Sequence, residues 1–218
     1  MDSLGLRLCG AGEWLIASDR DEMAGVSPLR DDHVLGVGGA GRTLAGLLGT
    51  ASVSAALDLG CGCGILSLHL RRSADRVVAT DISPRALRFT ELNARLNRMT
   101  AIETRLGSLF EPVSDPTDTF DRIAANPPFV ITPRAEGVPV YEYRDGGLEG
   151  DALMAAVVDG VGAHLASGGV ATLLGNWEYR AGDGLDRAGD GLDGVGDGLA
   201  RVRGWIDSAP VPLDAWVI

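Results

Sequence analysis

Apolar residues along this chain fall into short runs separated by glycine, proline and acidic positions. Ala55 to Leu59, Arg76 to Thr80, Ile102 to Leu106, Phe120 to Ala125 and Val170 to Leu174 have strand length and are bounded by turn residues. Between them lie helix-like stretches: Ile65 to Arg72, Pro84 to just before Met99 with Leu87, Leu92 and Leu96 as its apolar positions, and Asp151 to Leu165. Arg42 to Leu48 predicts a further helix ahead of the first of these strands. Strand and helix alternating in this way predict an α/β fold, a doubly wound, mostly parallel sheet with helices on both faces.

The flanks are less regular. Glu13 to Ala17 predicts one strand, followed by the polar turn Ser18-Asp19-Arg20-Asp21-Glu22. We divide the chain into an extension over 1–30 and one domain over 31–218. Gly168-Gly169 predicts a turn into the fifth strand. Past it, Arg180-Ala-Gly-Asp-Gly-Leu-Asp repeats from Arg187 and degenerates from Gly194, a Gly/Asp-rich insertion at about 180–200 with no core of its own. Its period of seven and few copies do not match calcium-binding repeats. Leu199 to Asp207 then predicts a helix, and Pro212 to Ile218 the start of a strand.

Composition narrows the setting. At 218 residues and 45% hydrophobic, the chain can bury a sizeable core. A net charge of −11 with no lysine argues against strong non-specific attraction to nucleic acid phosphate, though not against a nucleic-acid substrate. Cys9, Cys61 and Cys63 fit a reducing cytoplasm, and with His33, His69 and His164 scattered they predict no metal site. No apolar run reaches membrane length.

The candidate chemistry sits at the carboxyl ends of the predicted strands. Asp58-Leu59-Gly60-Cys61-Gly62-Cys63-Gly64 joins a strand to a helix, and its glycines let backbone turn sharply against a ligand. An acid two residues before the first glycine suits an amino-bearing or cationic ligand, which points to S-adenosylmethionine. Asp81 ends the next strand, where it would accept two ribose hydroxyls or cap the following helix; Ile82 would pack on a purine. Ser108 would meet the adenine amine, or simply form a turn. Asn126-Pro127-Pro128-Phe129 follows the fourth strand. Its prolines stiffen the corner, so that the Asn126 amide oxygen and the Pro127 carbonyl would accept from one planar NH2 group, with Phe129 as a flat wall. The segment 130–150, with Tyr141, Tyr143 and Arg144, is placed for substrate contacts. Gly36, Gly38 and Gly41 form a literal G-x-G-x-x-G, read either as a dinucleotide loop or, as we prefer, as a segment folding over the mouth of the cofactor pocket.

With these residues placed, the chain resembles class I S-adenosylmethionine-dependent methyltransferases acting on planar amines, in particular release-factor glutamine methyltransferases and small-domain ribosomal RNA guanine methyltransferases. The resemblance runs from about Asp31 to Trp177. It implies a Rossmann-like methyltransferase sheet of seven strands, of which this chain reaches the sixth. It implies cofactor contacts from Asp58, Gly60, Gly62, Gly64, Asp81, Ile82, Ser108 and Asn126, and catalytic positioning by Asn126, Pro127 and Phe129. Gly146-Gly147-Leu148-Glu149-Gly150-Asp151 is similar to a Gly-Gly-x-Asp-Gly-Leu element of the glutamine enzymes. The chain departs from its relatives at Ser108, where many carry Asp, and at Phe129, where the glutamine enzymes carry Tyr. The expected acceptor is a glutamine-bearing protein loop, the alternative an exocyclic base amine in RNA or DNA. A dinucleotide-dependent oxidoreductase and an inactive binding remnant are the readings of other classes.

Overall fold

The computed structural model describes residues 6–20, 32–128, 150–178 and 199–218. Phe129, the loop with Tyr141, Tyr143 and Arg144, Gly146 to Glu149 and nearly all of the heptapeptide insertion lie outside the described residues. The elements in chain order are β1 (Leu6–Ala11), β2 (Trp14–Asp19), α1 (Gly39–Leu47), β3 (Val53–Leu59), α2 (Ile65–Arg71) and β4 (Ala74–Asp81). There follow α3 (Pro84–Leu96), β5 (Ile102–Leu106), a 3-10 turn (Glu111–Val113), β6 (Phe120–Ala125), α4 (Ala152–His164), β7 (Leu165–Leu173) and α5 (Ala200–Ser208).

Five strands form one sheet in the order β5-β4-β3-β6-β7, every neighbour parallel. The order reverses beside β3, which is where right-handed crossovers leave a crevice at the strands' carboxyl ends. Alternate residues of the central strands feed two cores. Ala56, Val77 and Ala124 pack under α1, α2 and α3 with Leu44, Leu68 and Phe89. Leu57, Val78 and Ile123 pack on the other face with Val157 and Val161 of α4. Helices therefore cover both faces, as the continuous apolar strands required.

Three local readings need correction. The N-terminal strand is one half of a hairpin: β1 pairs antiparallel with β2 around Gly12, at φ +64. β1 alternates between exposed and half-buried positions without a strong apolar run, so its pattern is faint. The Gly168-Gly169 turn lies inside β7, which starts at Leu165; Gly168, at φ +77, sits beside a register shift against Phe120 and Arg122. Pro212 to Ile218 forms no strand, and Trp216 and Ile218 are almost fully exposed. Two prolines, Pro210 and Pro212, lack donors there, and no ladder partner holds this segment among the described residues.

The stretch ahead of residue 31 reaches into the first core through Trp14, Ile16 and Ala17. Its attachment is polar and lies on α3. Asn93, fully buried, accepts from the Ala17 amide (2.7 Å) and donates to the Ala17 carbonyl (2.9 Å) and the Cys63 carbonyl (2.7 Å). One turn later Asn97 repeats the pattern on Leu15, accepting at 2.9 Å and donating at 2.8 Å. Two asparagines at i, i+4 thus occupy the outer edge of β2 as a neighbouring strand would.

We expect Asn93→Leu to leave three buried backbone groups unpaired and to lower stability by about 2–4 kcal/mol, against under about 1 kcal/mol for Asn97→Ala at its wetter position. Urea unfolding of the two variants beside the parent checks this ranking.

Candidate functional site

β3 delivers the glycine loop, and the loop is fixed mostly by backbone. The Gly60 and Cys61 amides both donate to the Thr80 carbonyl at 2.9 Å, and Gly64 closes the turn onto the Cys61 carbonyl at 2.7 Å. Gly60, Gly62 and Gly64 have φ of +77, +53 and +80, conformations that L side chains rarely adopt. Gly64 has a second constraint, since a Cβ there would come within 2.8 Å of Thr90 Oγ1 and 3.0 Å of the Thr90 backbone. α3 is therefore the shelf beneath the loop, with Thr90 donating to the Gly62 carbonyl (3.2 Å) and Asn93 to the Cys63 carbonyl. Neither residue stood out in the sequence. The available signal was a polar pair at i, i+3 within the apolar stripe of a helix.

Above the loop lies a hollow of about 360 Å³, within the range of small-molecule sites. Gly60, Gly62, Asp81, Ile82, Ser108 and Asn126 all border it. So do Pro127 and the segment 32–38. No arginine side chain borders it among the described residues. Gly36 and Gly38 thus belong to the mouth of this same hollow. The dinucleotide reading has no strand to stand on, because residues 33–38 are irregular and α1 begins at Gly39. Gly36 is small because it packs on the hairpin; a Cβ there would meet Ser18 Oγ at 2.9 Å.

Asp81 holds the loop from the end of β4. One carboxylate oxygen accepts from the Gly62 amide (2.9 Å) and the other from the Ser83 amide (2.8 Å). The cap of α3 is Ser83, whose hydroxyl accepts from Ala86, so capping falls to Ser83 and not to Asp81. Ile82 is 43% exposed beside Asp81, a free apolar face for a flat ring. Ser108 is exposed; its amide donates to Glu111 Oε2 (3.2 Å) and its carbonyl accepts from the Glu111 amide (3.0 Å), which tightens the turn after β5.

Asp58 is fully buried beneath the loop and does not border the hollow. Ser67 donates to its Oδ2, while Oδ1 has no partner among the described residues. Burial pushes its carboxyl up to about 7; the Ser67 hydrogen bonds oppose the shift and the nearby Asp81 charge adds to it. A direct contact from Asp58 to a bound ligand is therefore not part of this geometry. Burial and the two aspartates also push the Cys61 thiol well up, and burial takes Cys63 to about 11, so both are small packing groups in the loop.

Asn126 comes off β6 at the hollow. Its side-chain oxygen is buried and has no hydrogen-bond partner among the described residues. An acceptor desolvated without a donor is costly unless a ligand supplies one. An open glycine-floored hollow and a carboxylate at the strand end together fit an adenosyl cofactor. Phe129 lies outside the described residues.

A family profile described as Methyltransferase small domain matches residues 37–138. A release factor glutamine methyltransferase of Chlamydia trachomatis is 41% identical over 75 residues, 34% of this chain and 24% of that protein. A Methanocaldococcus jannaschii protein, provisionally named a protein N5-glutamine methyltransferase, is 32% identical over 121 residues, 54% of this chain and 59% of its own length. The chain thus spans about a quarter of the first relative and under two thirds of the second. Among solved structures, the T. thermophilus 16S rRNA N2 G1207 methyltransferase, in complex with AdoMet and guanosine, shares the fold with a TM-score of 0.55. It is 22% identical, with 77% of this chain and 41% of that chain covered. The Rossmann-like methyltransferase sheet is thereby established, and the resemblance to class I methyltransferases holds.

Asp58 gives this site a pH signature. The unfolded chain loses the Asp58 proton near 3.8 and the folded chain at about 7. Between those values the folded state binds the extra proton, so this group's share of stability is complete at low pH and is lost as pH rises through 7. We expect Asp58→Asn to gain on the parent by up to about 1.4 kcal/mol per pH unit across that window and to hold a constant margin above it. Urea midpoints of both proteins from pH 4.5 to 8.5 check the sign.

Proposed function

We propose that this chain, with its methyltransferase small domain over residues 37–138, is an S-adenosylmethionine-dependent methyltransferase that modifies the nitrogen of a planar amide or amine. The observation that carries this reading is Asn126, which borders the hollow and whose buried side-chain oxygen has no partner among the described residues. Gly60, Gly62, Asp81, Ile82 and Ser108 would hold the cofactor, which supplies an electrophilic methyl group when bound.

The chain's own part is positioning. Asn126 Oδ1 and the Pro127 carbonyl would each accept one N–H of the substrate's NH2 group. That grip fixes the nitrogen plane and leaves the lone pair on the side facing the cofactor, so that a weakly nucleophilic nitrogen enters the reaction already oriented. No base is required before attack, since the proton is acidic only afterwards and leaves to solvent. Pro127 and Pro128 keep the corner rigid. Phe129 would complete the slot as a flat wall.

A protein glutamine amide is the preferred acceptor. The relatives named for glutamine methylation support it. An exocyclic base amine is the second reading. It satisfies the same two acceptors, and a fold likeness to a ribosomal RNA methyltransferase favours it.

We expect Asn126→Ala to lower methyl transfer by at least about a hundredfold while the dissociation constant for S-adenosylhomocysteine moves less than about threefold. Tritiated-methyl incorporation into cell extract, separated into protein and RNA fractions, together with calorimetric titration, checks both halves. Equal loss of cofactor binding would defeat the division of roles. Label in RNA alone would replace the preferred acceptor by the second.

A further inference from the structure

Both ends of the five-stranded sheet are edges, and they differ. β7 carries a register shift and Gly168 at φ +77, and irregularities of this kind turn an edge away from new partners. β5 has neither bulge nor proline. The Val77 amide donates to the Ala101 carbonyl and the Gly107 amide to the Asp81 carbonyl, so the odd-numbered residues of β5 face β4. The amides and carbonyls of Ile102, Thr104 and Leu106 therefore point outward, and no hydrogen bond to them is present among the described residues.

The sequence of this edge, Ile102-Glu103-Thr104-Arg105-Leu106, complements itself when reversed. Antiparallel pairing about Thr104 sets Ile102 opposite Leu106, Thr104 opposite Thr104, and Glu103 opposite Arg105 twice. Its outward-facing residues form the hydrogen-bonded pairs, and the Glu–Arg pairs fall at the closer, non-hydrogen-bonded positions. Glu103 and Arg105 meet within the chain at 2.8 Å, so their side chains share a face, where Arg105 also donates to Asp118 (2.6 Å) and would exchange only its Glu103 partner. On the other face, Ile102 packs on Leu87 of α3. Thr104 donates from the same face to Glu91 of α3 (2.8 Å), and Leu106 beyond it is 57% exposed. The edge strand thus presents outward backbone groups, an exposed leucine and charges of both signs.

We propose that the β5 edge forms a twofold interface with a second copy of this chain, joining the two described sheets across a dyad at Thr104. Such an isologous contact uses the same patch on both copies, which is why the self-complementary sequence selects a second copy as the occupant. It also braces the exit of β5 into Gly107, Ser108 and Leu109, which border the hollow. The inference does not depend on the acceptor or on the reaction.

Sedimentation equilibrium of the whole chain tests it. At high micromolar concentration the parent is expected near twice its 22.7 kDa chain mass. Thr104→Pro removes an amide that faces away from β4, so the sheet tolerates it while the dyad loses its central pair. The expected mass is then that of one chain, with the circular dichroism spectrum retained. Glu103→Arg, which sets like charges opposite one another without touching the backbone, gives the same halving and covers the case in which the proline variant fails to fold. A monomeric parent, or a dimer that survives Glu103→Arg, overturns the proposal.

Discussion

A single buried amide, Asn93, holds three parts of this protein in register. Its side chain takes up both backbone groups of Ala17 and the carbonyl of Cys63. The hairpin, the glycine loop and α3 therefore cannot move independently. Backbone groups buried in a domain must be paired, and here a side chain does what a second neighbouring strand would otherwise do for β2. Thr90, one turn earlier, carries the same support to Gly62 and forbids a side chain at Gly64. The mouth of the hollow follows from this attachment, because Val34 is bound to Asp19 at the end of β2 through both its amide and its carbonyl.

Asp19 also shows how charge is used around the site. Burial pushes its carboxyl up, but the fork of Arg85 and the Val34 amide outweigh this and keep it below the usual carboxylate range. Asp58 lacks such a cation and its carboxyl rises instead. Asp81 directs its oxygens to backbone amides at the ends of the loop and of α3. The three acids are thereby separated into an ion-paired brace, a proton-holding buried group and a clamp at the strand end.

Asp151 plays a comparable structural part on the far side. Buried at the start of α4, it accepts from both arms of Arg201 and from the Glu178 amide (3.0 Å). It ties α5 to the start of α4 and to Glu178 in the segment that follows β7. The element containing Gly150 and Asp151, noted in the sequence for its likeness to a substrate-side motif, thus has at its last residue a fastening role that the linear pattern did not show.

Strand and loop chemistry was legible wherever it is local. Ile102–Leu106 and Phe120–Ala125 match their predicted bounds, and the glycine loop, Asp81 and Asn126 meet at one hollow as their places at strand ends required. Backbone conformation and apolar periodicity are set by neighbours in the chain, so a sequence states them directly. The partners of polar atoms are set by residues far apart, and these the sequence left open: that Asp58 lies beneath the loop with Ser67, that Asn93 reaches Ala17 across 76 positions, that β1 exists at all, and that Pro212 to Ile218 finds no ladder. Which buried oxygen is satisfied and which is not is a property of packing in three dimensions, and only the tertiary structure could decide that Asp58 Oδ1 and Asn126 Oδ1 have no partner among the described residues.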